Sequence, residues 1–197
     1  MGLINRGVGY SNPKPAFWRG ETNLVLPGGF KLLQTFPLKF VIPRGTLCQV
    51  NYPDLTAGIV KVAKVIAGGS ISAPRVVKGT LFQVGDVVFK EGGTTAKTVT
   101  AVDRKNSDYD VLTLDSGISG LTADDIILEA ESMSSVTSKY TPNAVVESTK
   151  EVGMETDETI SATGRATVLE GMAYPVPASF KTGLFLTDNP NILFIYQ

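Results

Sequence analysis

Thr98-Val99-Thr100-Ala101-Val102-Asp103-Arg104-Lys105-Asn106-Ser107-Asp108-Tyr109-Asp110-Val111-Leu112-Thr113-Leu114 is the stretch that decides the fold class. Its first five residues alternate in polarity and are rich in β-branched side chains, which suits a half-buried strand and opposes a helix. Asn106 to Asp108 are turn formers, and Val111 to Leu114 restore the strand pattern. Working outward, Gly92-Gly93 turns the chain before this hairpin, and Gly85-Asp86 leads into Val87 to Phe89. Beyond it, Thr122 and Asp125 have capping-box spacing, followed by Ile126-Ile127-Leu128; the spacing predicts one turn and then a strand. Five short strands in so few residues predict a compact SH3-like β-barrel over residues 74–131.

The same rhythm recurs on both sides. Leu38 to Ile42 lies between Pro37 and Pro43, Thr46 to Val50 follows Arg44-Gly45, and Ile59 to Ile66 ends at Gly68-Gly69. An internal echo matches Arg44-Gly45-Thr46-Leu47-Cys48-Gln49-Val50 with Lys78-Gly79-Thr80-Leu81-Phe82-Gln83-Val84. Each copy is expected to be a glycine turn feeding a strand. Residues 132–144, rich in Ser, Thr and Asn, read as a linker returning to further strands at 144–147, 160–161, 165–169 and 184–187. Asn191 to Gln197 forms an apolar run with Ile192, Phe194 and Tyr196, expected to be a buried strand in its own sheet or in a neighbour's. The fold expectation is therefore all-β: a small barrel or sandwich body (31–73 plus 136–197), the inserted barrel (74–131) and an extended N-terminal arm (1–30).

The arm is broken by Gly2, Gly7, Gly9, Pro13, Pro15 and Gly20, so no helix fits it. It nevertheless carries Leu3, Ile4, Tyr10, Phe17 and Trp18, with Arg19 beside them, an apolar content foreign to disordered tails. Packing on its own body and reaching onto a neighbouring subunit both remain open. The leading candidate contact residues are these six, together with Ile192, Phe194 and Tyr196.

Composition removes much chemistry. About a quarter of the chain is Val, Ile or Thr; there is no His, and Cys48 is the single cysteine. The commonest general base and zinc ligand are thus missing, and an intrachain disulfide is impossible. Gly92-Gly93-Thr94-Thr95-Ala96-Lys97-Thr98 lacks the glycine a phosphate loop needs before its lysine. Asp103, Asn106, Asp108 and Asp110 are rich in oxygen but lack calcium-loop order. The neighbours Asp124-Asp125 and Asp157-Glu158 point to opposite faces if extended, unlike a catalytic pair. No enzyme, cofactor or metal is expected. Lys and Arg outnumber acids 12 to 4 over residues 1–102, while acids outnumber them 13 to 4 over 103–158. Two readings stand: solvated faces, or a two-signed surface complementary to a neighbour. Lys and Arg are not clustered with aromatics, so no nucleic-acid partner is expected. The opening residues lack an apolar signal core, and no membrane partner is expected.

Val77-Lys78-Gly79, Phe82-Gln83-Val84-Gly85-Asp86, Val99 to Asp103 and Asp108 to Leu114 resemble a module of head fibre and capsid-decoration proteins of tailed bacteriophages. Pro43-Arg44-Gly45-Thr46 and Gly164 to Gly171 resemble the bodies of such proteins more loosely. The resemblance implies a virion protein on the capsid exterior, made in the host cytoplasm, with itself (as a homotrimer) and a major capsid protein as partners. A host-surface glycan is a further implied partner. The competing readings are a tail, baseplate or neck component, and a carbohydrate-binding module needing exposed aromatics among Phe82, Phe89 and Tyr109.

Overall fold

The computed structural model describes residues 24–27, 29–153, 157–171 and 173–196. Among the described residues five strands come first: β1 (Leu24–Val25), β2 (Phe30–Leu32), β3 (Val41–Ile42), β4 (Leu47–Asn51) and β5 (Thr56–Ile59). Six follow: β6 (Val62–Ile66), β7 (Arg75–Val77), β8 (Val87–Lys90), β9 (Ala96–Asp103), β10 (Tyr109–Leu114) and β11 (Ile126–Glu129). The chain then returns through β12 (Ala144–Val146), β13 (Lys150–Glu151), β14 (Thr159–Ile160) and β15 (Ala162–Leu169). It closes with β16 (Lys181–Thr182), β17 (Phe185–Leu186) and β18 (Asn189–Ile195). The fold is all-β, and among the described residues a single 3-10 turn at Ala178–Phe180 interrupts it.

β6 to β11 close into a barrel in the order β10-β7-β6-β11-β8-β9. The hairpin of β9 and β10 stands as its sequence predicts, with a bulge near Thr113 and Leu114 that bends the pair. Thr122 and Asp125 form the expected turn: the Thr122 amide and hydroxyl both donate to the Asp125 carboxylate, and β11 follows. The barrel also recruits β6, which lies outside the expected 74–131 segment. Gly68-Gly69 and the polar residues after it look like a boundary, yet they form the hairpin between β6 and β7. A glycine pair signals a tight turn, and only strand pairing tells whether the turn lies within a unit or between two.

The body is a mixed sheet in the order β14-β2-β5-β4-β12-β15-β18-β17-β16, with β1 added against β15. A two-stranded ribbon of β3 and β13 lies beside it. Three apolar clusters organise the molecule. Val76, Phe82, Val88, Val99, Leu112 and Ile127 fill the barrel. Phe30, Ile42, Cys48, Ile59, Val146 and Ile160 belong to the body. Leu47, Val145, Val168 and Phe194 meet Phe89, Ala96 and Leu128 of the barrel, so barrel and body share a core. Leu47 and Cys48, adjacent on β4, serve different cores because successive side chains point to opposite faces.

The internal echo splits. Its first copy becomes β4, but Thr80 to Asp86 forms no strand, meeting β9 only at its end, where Gly85 and Asp86 bond to Val99. Instead Leu81 enters the body core and its neighbour Phe82 enters the barrel core. Similar residues therefore make a strand in one place and a staple between two cores in the other. Side-chain burial on opposite sides satisfies both patterns, so local sequence does not separate them.

Candidate functional site

Of the candidate contact residues, Leu3, Ile4, Tyr10, Phe17, Trp18 and Arg19 lie outside the described residues. Ile192 and Phe194 are corrected: both are fully buried in the chain's own core and offer nothing to a neighbour. β18 runs parallel to β15, pairing Ile192 with Ala166 and Phe194 with Val168, so this terminal apolar run is sheltered within one subunit. Tyr196, one residue past the strand, is 85% exposed. Leu184 and Phe185, at the hairpin that packs against β18, are 57% and 46% exposed. The Phe194 amide donates to the Leu184 carbonyl at 2.8 Å, which ties these residues to the same end of the sheet. The exposed apolar end of this hairpin is the candidate contact surface.

Where the chain leaves the body for the barrel, Lys61 is buried. Its ammonium donates to both carboxylate oxygens of Asp86 at 2.7 Å and lies 3.7 Å from Glu129. Glu129 ends β11, where the chain leaves the barrel, and also pairs with Lys139 at 2.9 Å. One lysine thus clamps the outgoing strand, the returning strand and the stapling loop. Burial works against the Lys139 ammonium, but its hydrogen bond to Glu129 outweighs this and holds the amine above its usual value. One Glu129 oxygen, Oε2, is buried without a hydrogen-bond partner.

A second clamp holds the stapling loop. The Gly79 and Thr80 amides donate to buried Asp110, which also accepts from Lys78 at 2.7 Å. Tyr174 accepts from the Leu81 amide and donates to the Gly79 carbonyl, at 2.9 and 2.8 Å. Burial pushes the Tyr174 phenol well above its ordinary value. The same cause pushes the Cys48 thiol up to about 12, so it is an inert core residue.

The lopsided charge resolves inside the molecule. Lys31 with Asp157, Lys64 with Asp124, Lys78 with Asp110 and Lys90 with Asp125 each join the basic first half to the acidic stretch. These four pairs bring opposite signs together within one subunit. The oxygen-rich loop is a turn: Asp103 accepts from the Lys105 amide and Asn106 from the Asp108 amide, while Asp110 faces inward. Among the described residues no group of three or more Cys, Asp or Glu is arranged to hold a metal ion. No helix among them is long and apolar enough to cross a membrane. On the barrel, Phe82 and Phe89 are buried, and the Arg75 guanidinium covers Tyr109 at 4.5 Å. The two phenylalanines offer no free stacking face, and Arg75 occupies one face of the half-buried Tyr109.

Compared with known proteins, the chain matches no family model, no curated protein and no solved structure.

Proposed function

We propose that this chain is a virion structural protein that decorates the outside of a phage head, assembling with copies of itself and with the capsid subunit. The observation that carries the reading is the exposed apolar end formed by Leu184, Phe185 and Tyr196. Large apolar side chains at one end of a sheet, beside a terminal strand already satisfied, mark a contact surface. The barrel suits the same reading, because two clamps, around Lys61 and around Asp110 and Tyr174, hold it on the body. A protein that binds only the assembled lattice stabilises it by mass action. The homotrimer belongs to the proposal, with the apolar end and the N-terminal segment as its contact elements.

The test is a binding measurement on purified, undecorated heads, with cryo-electron microscopy of the product and native mass of the free protein. Regular density on the head surface supports the reading. The paired change Leu184→Asp and Phe185→Asp is expected to abolish that density while leaving the circular dichroism spectrum intact. Density on tail, neck or baseplate instead, or undiminished head binding by this variant, overturns it.

A further inference from the structure

The outer face of β4 and β5 carries a group of uncharged polar side chains beside a fixed aromatic ring. Ala57 and Ile59 of β5 enter the body core, so Thr56 lies on the opposite face, as does Gly58, which the Tyr140 ring covers. The register sets Asn51 opposite Thr56 and Gln49 opposite Gly58. Gln49, Asn51 and Thr56, together with Leu33, Val50, Tyr52 and Pro53, line a shallow cleft of about 400 Å³ whose lining holds no charged side chain. Tyr52 is anchored at both ends. Its hydroxyl donates to the Pro27 carbonyl at 3.3 Å, and its ring meets Phe30 edge-on at 5.8 Å between centroids, yet the residue stays 46% exposed. Asn51 donates from its amide nitrogen to Asp54 at 2.6 Å. The Gln49 amide and Thr56 hydroxyl have no partner among the described residues.

We propose that this cleft binds a neutral saccharide. A pyranose ring has an apolar C–H face and a rim of hydroxyls. The first suits a rigid tyrosine ring, whose ordering cost is already met by Phe30 and Pro27. The second suits a free carboxamide, which places a donor and an acceptor side by side. An anionic ligand finds no counter-charge in the lining. A purely apolar peptide would leave Gln49, Asn51 and Thr56 covered and unpaired, a penalty a sugar avoids. Another cleft, between body and barrel, carries Arg44, Lys64 and Lys78, each already facing a carboxylate. The inference does not rest on the virion reading, since one copy in solution holds the whole cleft.

The experiment uses the full chain with lactose, N-acetyllactosamine and maltotriose as neutral probes and sialyllactose as the charged comparison. Saturation-transfer NMR identifies the binder and a titration gives its affinity. At least one neutral probe is expected to bind with Kd of about 1 mM, unaltered by added salt, and to weaken about tenfold in Tyr52→Ala and in Gln49→Ala. Tyr52→Phe, which keeps the ring, should retain binding. If Tyr52→Ala fails to fold, Gln49→Ala and Thr56→Val decide the matter, because both residues are at the surface. No neutral binding at roughly 20 mM, undiminished binding by folded Gln49→Ala, or salt-sensitive binding confined to sialyllactose each overturns the proposal. Head binding is read in a separate assay, so the failure of one proposal leaves the other standing or falling alone.

Discussion

Replacing Lys61 by methionine removes one positive charge from a site where both carboxylates stay behind. The side chains of Lys61, Asp86 and Glu129 are only 4%, 13% and 4% exposed, so water cannot take over the lost partner. At an effective dielectric of about 20, attractions at 2.7 and 3.7 Å amount to about 6 and about 4 kcal/mol gross. Desolvation of the three ions offsets much of that, and breaking a buried pair from one side costs about 3–5 kcal/mol net. For a chain of this length that is a fall in Tm of roughly 10 °C. Urea unfolding followed by circular dichroism measures the loss. A second variant isolates the cause: adding Asp86→Asn to Lys61→Met removes the carboxylate left without an ammonium, with little change in shape, while Glu129 keeps Lys139. The double variant is expected to recover at least about 1 kcal/mol over Lys61→Met alone. If Lys61→Met lies within about 1 kcal/mol of the parent, the clamp contributes packing only and the reasoning fails.

The terminal strand gives a sharp contrast. Phe194→Ala should cost about 3–5 kcal/mol because the ring is fully buried, whereas Tyr196→Ser should leave urea stability unchanged; equal effects would contradict the assigned burial. Tyr174→Phe deletes the group joining Leu81 and Gly79 and should cost about 1–3 kcal/mol, with faster hydrogen exchange at the Leu81 amide as the local readout. Cys48 sets an alkaline limit. Its thiol ionises near 8.5 in the unfolded chain but only near 12 when folded, so above 8.5 the unfolded state loses protons first and stability declines as pH rises. The loss should reach about 2 kcal/mol by pH 10, with Tyr174 adding to it at higher pH, and Cys48→Ala should flatten the first part of that slope.

The alternation at 98–102, the turn formers at 106–108 and the capping pair at 122 and 125 were enough to specify a β fold with a small barrel, because strand and turn preferences act over a few residues. The terminal apolar run also announced a buried strand. Whose core it would fill was a matter of pairing, and the parallel register with β15 assigns it to the chain's own. The echoed segments show the limit most plainly: nearly the same residues form β4 in one place and a staple in the other. Their neighbours differ, and each copy lies where its apolar side chains find cover. Charge behaved the same way. Composition separated the signs along the chain, and the fold brought Lys31, Lys64, Lys78 and Lys90 onto their acidic partners. The neck around Lys61 and the neutral cleft around Tyr52 gather residues from distant parts of the chain. Side-chain chemistry and local geometry were therefore written in the sequence, while every property that depends on which groups meet across long loops arose only when the strands paired.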